Sequence, residues 1–369
     1  MAKEKIYKVI GLMSGSSLDG VDLAYCSFKV NGEDIQFELL EAENVAFEEK
    51  WTRRLKHLPT QSALTFAQTH VYFGHYLGHL LNDFIKKHKI KPDFIASHGH
   101  TIFHAPDQRM TTQIGEGGAM AAITKTIVIS DFRTQDIAIE GEGTPIAPTA
   151  DRYLFGDFDF MMNIGGISNI TSNIHGKYIA FDIGPANQVL NALANTLDLE
   201  YDKGGEIARQ GEANPDILEA LYHFPYFENP YPKSIANAWI QNEIIPIYQQ
   251  VDCPIADKLR TAVEHLAIET AHSIEQIIKK ENFQKEKYRL LATGGGTFND
   301  FLMASIQEKI ADMNVEIVIP SKEIIEYKEA ILMGLMGVLR MEERVNCFSS
   351  VTGASRDTVG GAVYFGRVE

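Results

Sequence analysis

Cysteine is scarce in this 369-residue chain: Cys26, Cys253 and Cys347 stand far apart. An odd number at wide spacing forms no disulfide framework and no metal-ligand pattern, and it fits the reduced thiols of a cytoplasmic protein. There is no run of 18 apolar residues, and the opening "MAKEKIYKVIG" lacks a signal-peptide stretch. Neither a membrane span nor secretion is therefore expected. Basic side chains number 34 against 49 acidic ones, and the net charge of −15 argues against a nucleic-acid or anionic-membrane partner. Two phosphate-binding signatures are also missing. No GxxxxGK[ST] P-loop occurs, and no GxGxxG follows the first strand-like segment, so the P-loop and Rossmann readings both fail. What remains, 45% apolar and 22% charged, is the balance of a soluble globular protein long enough for two domains.

The elements that are present follow a repeated order. Strand-like segments at 6–11, 23–29 and 35–41 form a meander. A helix follows from Ser62 to Lys87, with Phe66, Phe73, Leu77, Leu80, Leu81 and Phe84 at mostly three- and four-residue steps. "DFIAS" (93–97) and "TIVISD" (126–131) read as short buried strands with polar loops after them, the places where an α/β sheet carries ligands. The second half restarts the programme with strands in 158–171 and 177–187, a helix from Asp257 to Lys279, and "YRLLATGGGTFND" (288–300). A strand at 315–320 and a helix from Glu329 complete it. Two halves with one order of elements suggest a duplication. The expected domains are 1–132, with 350–369 as a candidate addition, and 133–349, joined through "RTQDIAIEGEGTPIAPTAD".

Three glycine-rich turns follow strands: "GLMSGSSLDGVD" (11–22), Gly165-Gly166, and Gly294-Gly295-Gly296. Glycines let a backbone approach a ligand closely, and successive N–H groups form anion-binding nests. Three at matching places in two similar halves point to a nucleotide held between the domains. Asp182 closes "YIAFD" ahead of Gly184-Pro185, where a carboxylate can serve as general base or magnesium partner. An equal reading makes it the N-cap of a helix over "ANQVLNALANTL". His98, His100 and His104 in "SHGHTIFH" have no Cys or acid at a ligand spacing, so no metal site is expected there. Arg133 in "SDFRTQD" suits a bidentate carboxylate clamp, or an internal pair with Asp131 or Asp136.

Those motifs, with "NIGGISNIT", "FDIGPAN", "YDKGGEIARQG", "PKS", "TGGGTFN" and "VTGASRD", run in the order seen in anhydro-N-acetylmuramic acid kinases, which the chain resembles along nearly its whole length. The resemblance implies the sugar kinase/Hsp70/actin superfamily: duplicated ribonuclease-H-like α/β domains, with mixed sheets flanked by helices and an active-site cleft between them. It implies ATP and Mg2+ as cofactors, a cytoplasmic homodimer, and hydrolytic opening of a 1,6-anhydro bridge coupled to phosphorylation of O6. Asp182 is then the catalytic base. Ser14, Gly15, Ser16, Ser17, Leu18, Asp19, Gly20 and Val21, with Gly165, Gly166, Gly294, Gly295 and Gly296, bind ATP. Thr101, Arg133 and Glu329 face the sugar.

This sequence departs from the family pattern on the sugar side. Ile183 and Ala186 stand where Thr and Gly are common, "IEGEGTPIAP" replaces "GGQGAPLVP", and "YPKSIANAW" replaces "PPKSTGRE". Two other readings follow from this: a paralogous kinase for another anhydro or simple sugar, and a catalytically silent ATP-binding protein.

Overall fold

The computed structural model describes residues 4–15, 18–174 and 177–367, with Lys177 described in its backbone only. The chain forms two compact units, Met1–Leu154 with Tyr327–Glu369, and Phe155–Glu326.

In the first unit, β1 (Lys5–Ser14), β2 (Gly20–Asn31) and β3 (Asp34–Ala46) form an antiparallel meander. β4 (Phe94–Ala105) lies parallel to β1, and β6 (Ile127–Ser130) lies parallel to β4. β5 (Met110–Ile114) pairs antiparallel with the outer part of β4. In β1, Val9, Ile10 and Leu12 have no exposed surface, the mark of a central strand covered on both faces. The helix Ala63–His88 packs Phe73, Leu77, Leu81 and Phe84 inward. Its start is fixed by the Ser62 side chain accepting from the Thr65 N–H, and its end by Lys89 in the left-handed conformation.

The second unit repeats the plan. β7 (Phe160–Ile164), β8 (Ile167–Ile174) and β9 (Lys177–Pro185) form the meander, and β10 (Tyr288–Thr293) and β11 (Val315–Val318) add in parallel beside β7. The order β11-β10-β7-β8-β9 matches β6-β4-β1-β2-β3 in sequence and polarity. The duplication and the mixed sheets flanked by helices are therefore present in the strand order itself. β12 (Ala362–Tyr364) pairs with β6 and covers that edge of the first sheet.

The unit boundaries differ from those expected. Segments 133–154 and 327–349, assigned above to the second domain, pack in the first. Close approach explains the second of them. A Cβ built on Gly11 of β1 would lie 1.8 Å from the Ala330 carbonyl oxygen, so the helix Lys328–Met341 rests directly on that strand. The first segment is tied by hydrogen bonds. The Thr149 hydroxyl donates to the Asn346 carbonyl (2.9 Å), and the Thr352 hydroxyl donates to Asp136 (2.8 Å).

Candidate active site

The parallel strands of the first unit end on one edge, and most of that unit's candidate residues sit there. Ser14, the last residue of β1, is buried and its Oγ lies 3.0 Å from His100 Nδ1, so the hydroxyl is shared with the protein. Leu18, at φ 60°, donates its N–H to the Gly15 carbonyl (3.4 Å). Ser16 and Ser17 lie outside the described residues. Asp19 is exposed, Gly20 opens β2, and the Val21 side chain is fully buried, which leaves only its backbone to face a ligand. On β4, the Thr101 hydroxyl accepts from Gln113 Nε2 (3.2 Å).

Arg133 follows β6 and pairs with neither Asp131 nor Asp136. Asp131 accepts from the Thr134 hydroxyl (2.5 Å), and buried Asp136 accepts from the Gly143 N–H (2.9 Å) and the Thr352 hydroxyl. The internal Arg–Asp pair considered from the sequence does not form. Instead, Arg133 Nε is buried without a hydrogen-bond partner among the described residues, and the carboxylate acting on it is Glu329. Burial lowers the Arg133 pKa and Glu329 opposes that shift. Glu329 is exposed by surface area, yet desolvation and Asp22 raise its pKa while Arg133 and Lys328 lower it. Burial, with the Arg133 charge, pushes buried His98 down to about 3, so its ring is neutral at physiological pH. A guanidinium with an unpartnered Nε, whose charge acts on a neutral imidazole, suits an incoming anion. Arg133→Ala is expected to raise the KM of an anionic substrate about 10- to 100-fold, the value of a charged hydrogen bond, with a smaller change in kcat. Steady-state kinetics with that substrate varied check this.

In the second unit, Asp182 lies inside β9, which continues three residues beyond it. The helix Asn187–Ala194 is preceded by Ala186 and has no side-chain cap, so the N-cap reading is overturned. The register shifts between Ser168↔Gly184 and Asn169↔Asp182, leaving Ile183 as an extra residue. Such a bulge re-aims the neighbouring side chain. Asp182 Oδ2 accepts the Ile235 N–H at 2.8 Å, its own N–H donates to the Lys233 carbonyl at 3.2 Å, and the Tyr226 hydroxyl donates to its carbonyl at 2.6 Å. Burial raises the pKa of the carboxyl and the Ile235 N–H partly opposes it. Among the described residues, Oδ1 receives no hydrogen bond.

The two glycine turns of this unit come together. Thr293, Asn163, Asn169 and Asp182 form one row across β10, β7, β8 and β9. Gly165-Gly166 turns from β7 into β8, and its carbonyls accept the N–H groups of Ala186, Asn187 and Gln188 at 3.0–3.1 Å. Gly294 has φ 88°, and a Cβ there would meet the Ile164 carbonyl at 2.6 Å, so its turn lies against the end of β7. A Cβ on Gly295 would find nothing nearer than 4.0 Å, so it presents open backbone, whereas the Gly165 N–H donates to the Ile167 carbonyl at 3.2 Å. Open backbone such as that of Gly295 lets a phosphate oxygen approach closely.

Sequence reasoning assigned no role to the groups behind Asp182. Lys233 Nζ donates to the Tyr226 carbonyl (3.1 Å) and lies 4.8 Å from that ring's centroid. Glu269 is 2% exposed on the helix Ile255–Lys280, and burial pushes its carboxyl up to about 7 while Lys233 pulls it down. A charged residue at an inward position of a helical period was the available signal. Because the folded pKa exceeds the ordinary 4.5, the protonated form favours folding, and that contribution is lost as pH rises from about 4.5 through about 7. The Tm advantage of Glu269→Gln over the parent is expected to grow across that window and then level. A pH-independent difference in thermal denaturation contradicts the assignment.

The model of the family described as anhydro-N-acetylmuramic acid kinase matches residues 7–366. Curated proteins of that name are similar along their length. The one from Francisella tularensis subsp. novicida (strain U112) is 31% identical over 96% of this chain and 98% of its own. The one from Pasteurella multocida (strain Pm70) is 30% identical over 98% of each. The one from Sulfurovum sp. (strain NBC37-1) is 31% identical over 97% and 99%.

Proposed function

The chain belongs to the anhydro-N-acetylmuramic acid kinase family, and from that premise we propose that it opens the 1,6-anhydro bridge of anhydro-N-acetylmuramic acid with water while phosphorylating O6 from ATP. The observation that carries this reading is the Asp182 carboxylate. One oxygen is held by the Ile235 N–H, the other is uncommitted, and the strand ends on the edge that bears both glycine turns. Asp182 Oδ1 takes a proton from a water whose oxygen bonds to the anomeric carbon. The bond from that carbon to the bridging O6 breaks, leaving its electron pair on O6, and configuration inverts at the carbon under attack. O6 then forms its bond to the γ-phosphorus and ADP leaves. A carboxyl pKa raised by burial makes the stronger base near neutral pH.

The residues available suit the nucleotide. Open backbone at Gly295 supports a polyphosphate beside the glycine turns of the second unit, to which Gly165, Gly166, Gly294 and Gly296 are also assigned, and the assignment of Ser14 to Val21 to the nucleotide rests on the sequence resemblance. Mg2+ would ride on the phosphates and neutralise charge on their oxygens. Arg133 is assigned to the sugar's carboxylate, and Thr101 and Glu329 to its polar rim. A homodimer acting in the cytoplasm is part of this proposal and rests on the sequence resemblance. Among the described residues no helix is long and apolar enough to cross a membrane. Incubation with ATP, Mg2+ and anhydro-N-acetylmuramic acid should yield ADP and a sugar 6-phosphate in equal amounts. Turnover confined to other sugars, or nucleotide binding with no product, contradicts the proposal.

A further inference from the structure

A pocket of about 280 Å3 opens beside Asp182, walled by Phe224, Tyr226 and Trp239 and completed by Ser234, Ile235 and Ala236. Two of its residues hold the carboxylate's own segment. Ile235 donates its N–H to Asp182 Oδ2, and Tyr226 donates its hydroxyl to the Asp182 carbonyl. The walls are one aromatic cluster, with Trp239 5.5 Å from Tyr226 and 5.4 Å edge-on to Phe224. Trp239 is only partly buried, so its ring is available to a ligand. On its far side in sequence the pocket is tied to the glycine turn. Gln188, whose N–H bonds the Gly166 carbonyl, donates through Nε2 to Asn237 (2.6 Å), and its buried Oε1 has no partner among the described residues.

No lining residue carries a charge, and the nearest ammonium, Lys233, is committed to Tyr226. An apolar, aromatic pocket with few polar groups takes an uncharged substituent and orients it by one or two hydrogen bonds. Its volume equals that of roughly nine waters at about 30 Å3 each, room for several heavy atoms. The reaction identifies which substituent reaches it. Water activated by Asp182 attacks the anomeric carbon, and the acetamido group is borne by the next carbon of the ring. We propose that this pocket receives that acetamido group, its methyl against Trp239 and Tyr226, and that Trp239 thereby determines specificity at that carbon. The inference rests on the function proposed above.

The test compares two 1,6-anhydro sugars that differ only in acetamido or hydroxyl at the carbon beside the anomeric one, in the parent, Trp239→Ala and Trp239→Phe. The parent should prefer the acetamido sugar at least about tenfold in kcat/KM, the scale on which a pocket discriminates small apolar groups. Trp239→Ala should reduce the preference to within about twofold, through KM for the acetamido sugar, with the KM of ATP unmoved. Trp239→Phe should restore most of it. If the parent turns over both sugars and Trp239→Ala keeps the full preference, the pocket assignment is overturned while the proposed function stands. If the parent turns over neither, the function fails and the pocket assignment falls with it.

Discussion

Asp182→Asn is expected to lower kcat on the order of 10³-fold while leaving nucleotide affinity unchanged and Tm no lower than the parent's. The substitution keeps the side chain's size and an oxygen able to accept the Ile235 N–H, so the clamp through Tyr226, Lys233 and Ile235 persists. It removes only the capacity to take a proton. The pH profile supplies a second signature. The base must be ionised to act, and burial raises its pKa, so kcat/KM for the parent should fall tenfold per unit on the acid side, beginning above the ordinary carboxylate range. The variant's residual rate should lack that limb. Near-normal turnover, or an unchanged acid limb, would contradict the assignment of the base.

Gly11→Ala is expected to destabilise the first unit by about 3 kcal/mol, roughly 6–12 °C in Tm. Its methyl would lie 1.8 Å from the Ala330 carbonyl oxygen and 2.8 Å from the Gly334 nitrogen, both backbone atoms that no side-chain rotation can clear. The helix Lys328–Met341 would have to lift from a floor of small residues in which Gly11 pairs with Ala24 and Ala96. Glu329 precedes Ala330, so the shift would also move that carboxylate relative to Arg133. A loss in sugar affinity should therefore accompany the loss in stability. Differential scanning calorimetry with parallel kinetics checks both, and a Tm within about 2 °C of the parent contradicts the packing described.

Much of this architecture was legible because the chain's two halves repeat one order of strands, each set off by glycine punctuation. The buried runs in β1, β4, β6, β7 and β10 declare themselves by apolar density and by the loops that follow. The unit boundaries were not legible, because the helix Lys328–Met341 is apolar nearly all round and its sequence does not say which sheet it covers. The glycine that decides the matter, Gly11, lies more than 300 residues earlier and looks like part of a ligand loop. Asp182 was legible as a candidate acid at the end of a strand but not as a residue within it. An aspartate before Gly-Pro reads as a cap, and only the partner strand reveals that Ile183 is a bulge. The roles of Tyr226, and of Lys233 and Trp239 within "YPKSIANAW", were not legible because they depend on a loop folding back onto β9, a contact no local pattern encodes.

The central claim, that the Asp182 carboxylate activates water at the anomeric carbon while O6 keeps its original oxygen, is tested most directly by isotope position. The reaction is run with ATP and Mg2+ in ¹⁸O-water, and the sugar phosphate is analysed by mass spectrometry with fragmentation. One heavy oxygen on the anomeric carbon, with the phosphate on an unlabelled O6, is the predicted result. Label at O6 or in the phosphoryl group, or product formed with no label, would contradict it.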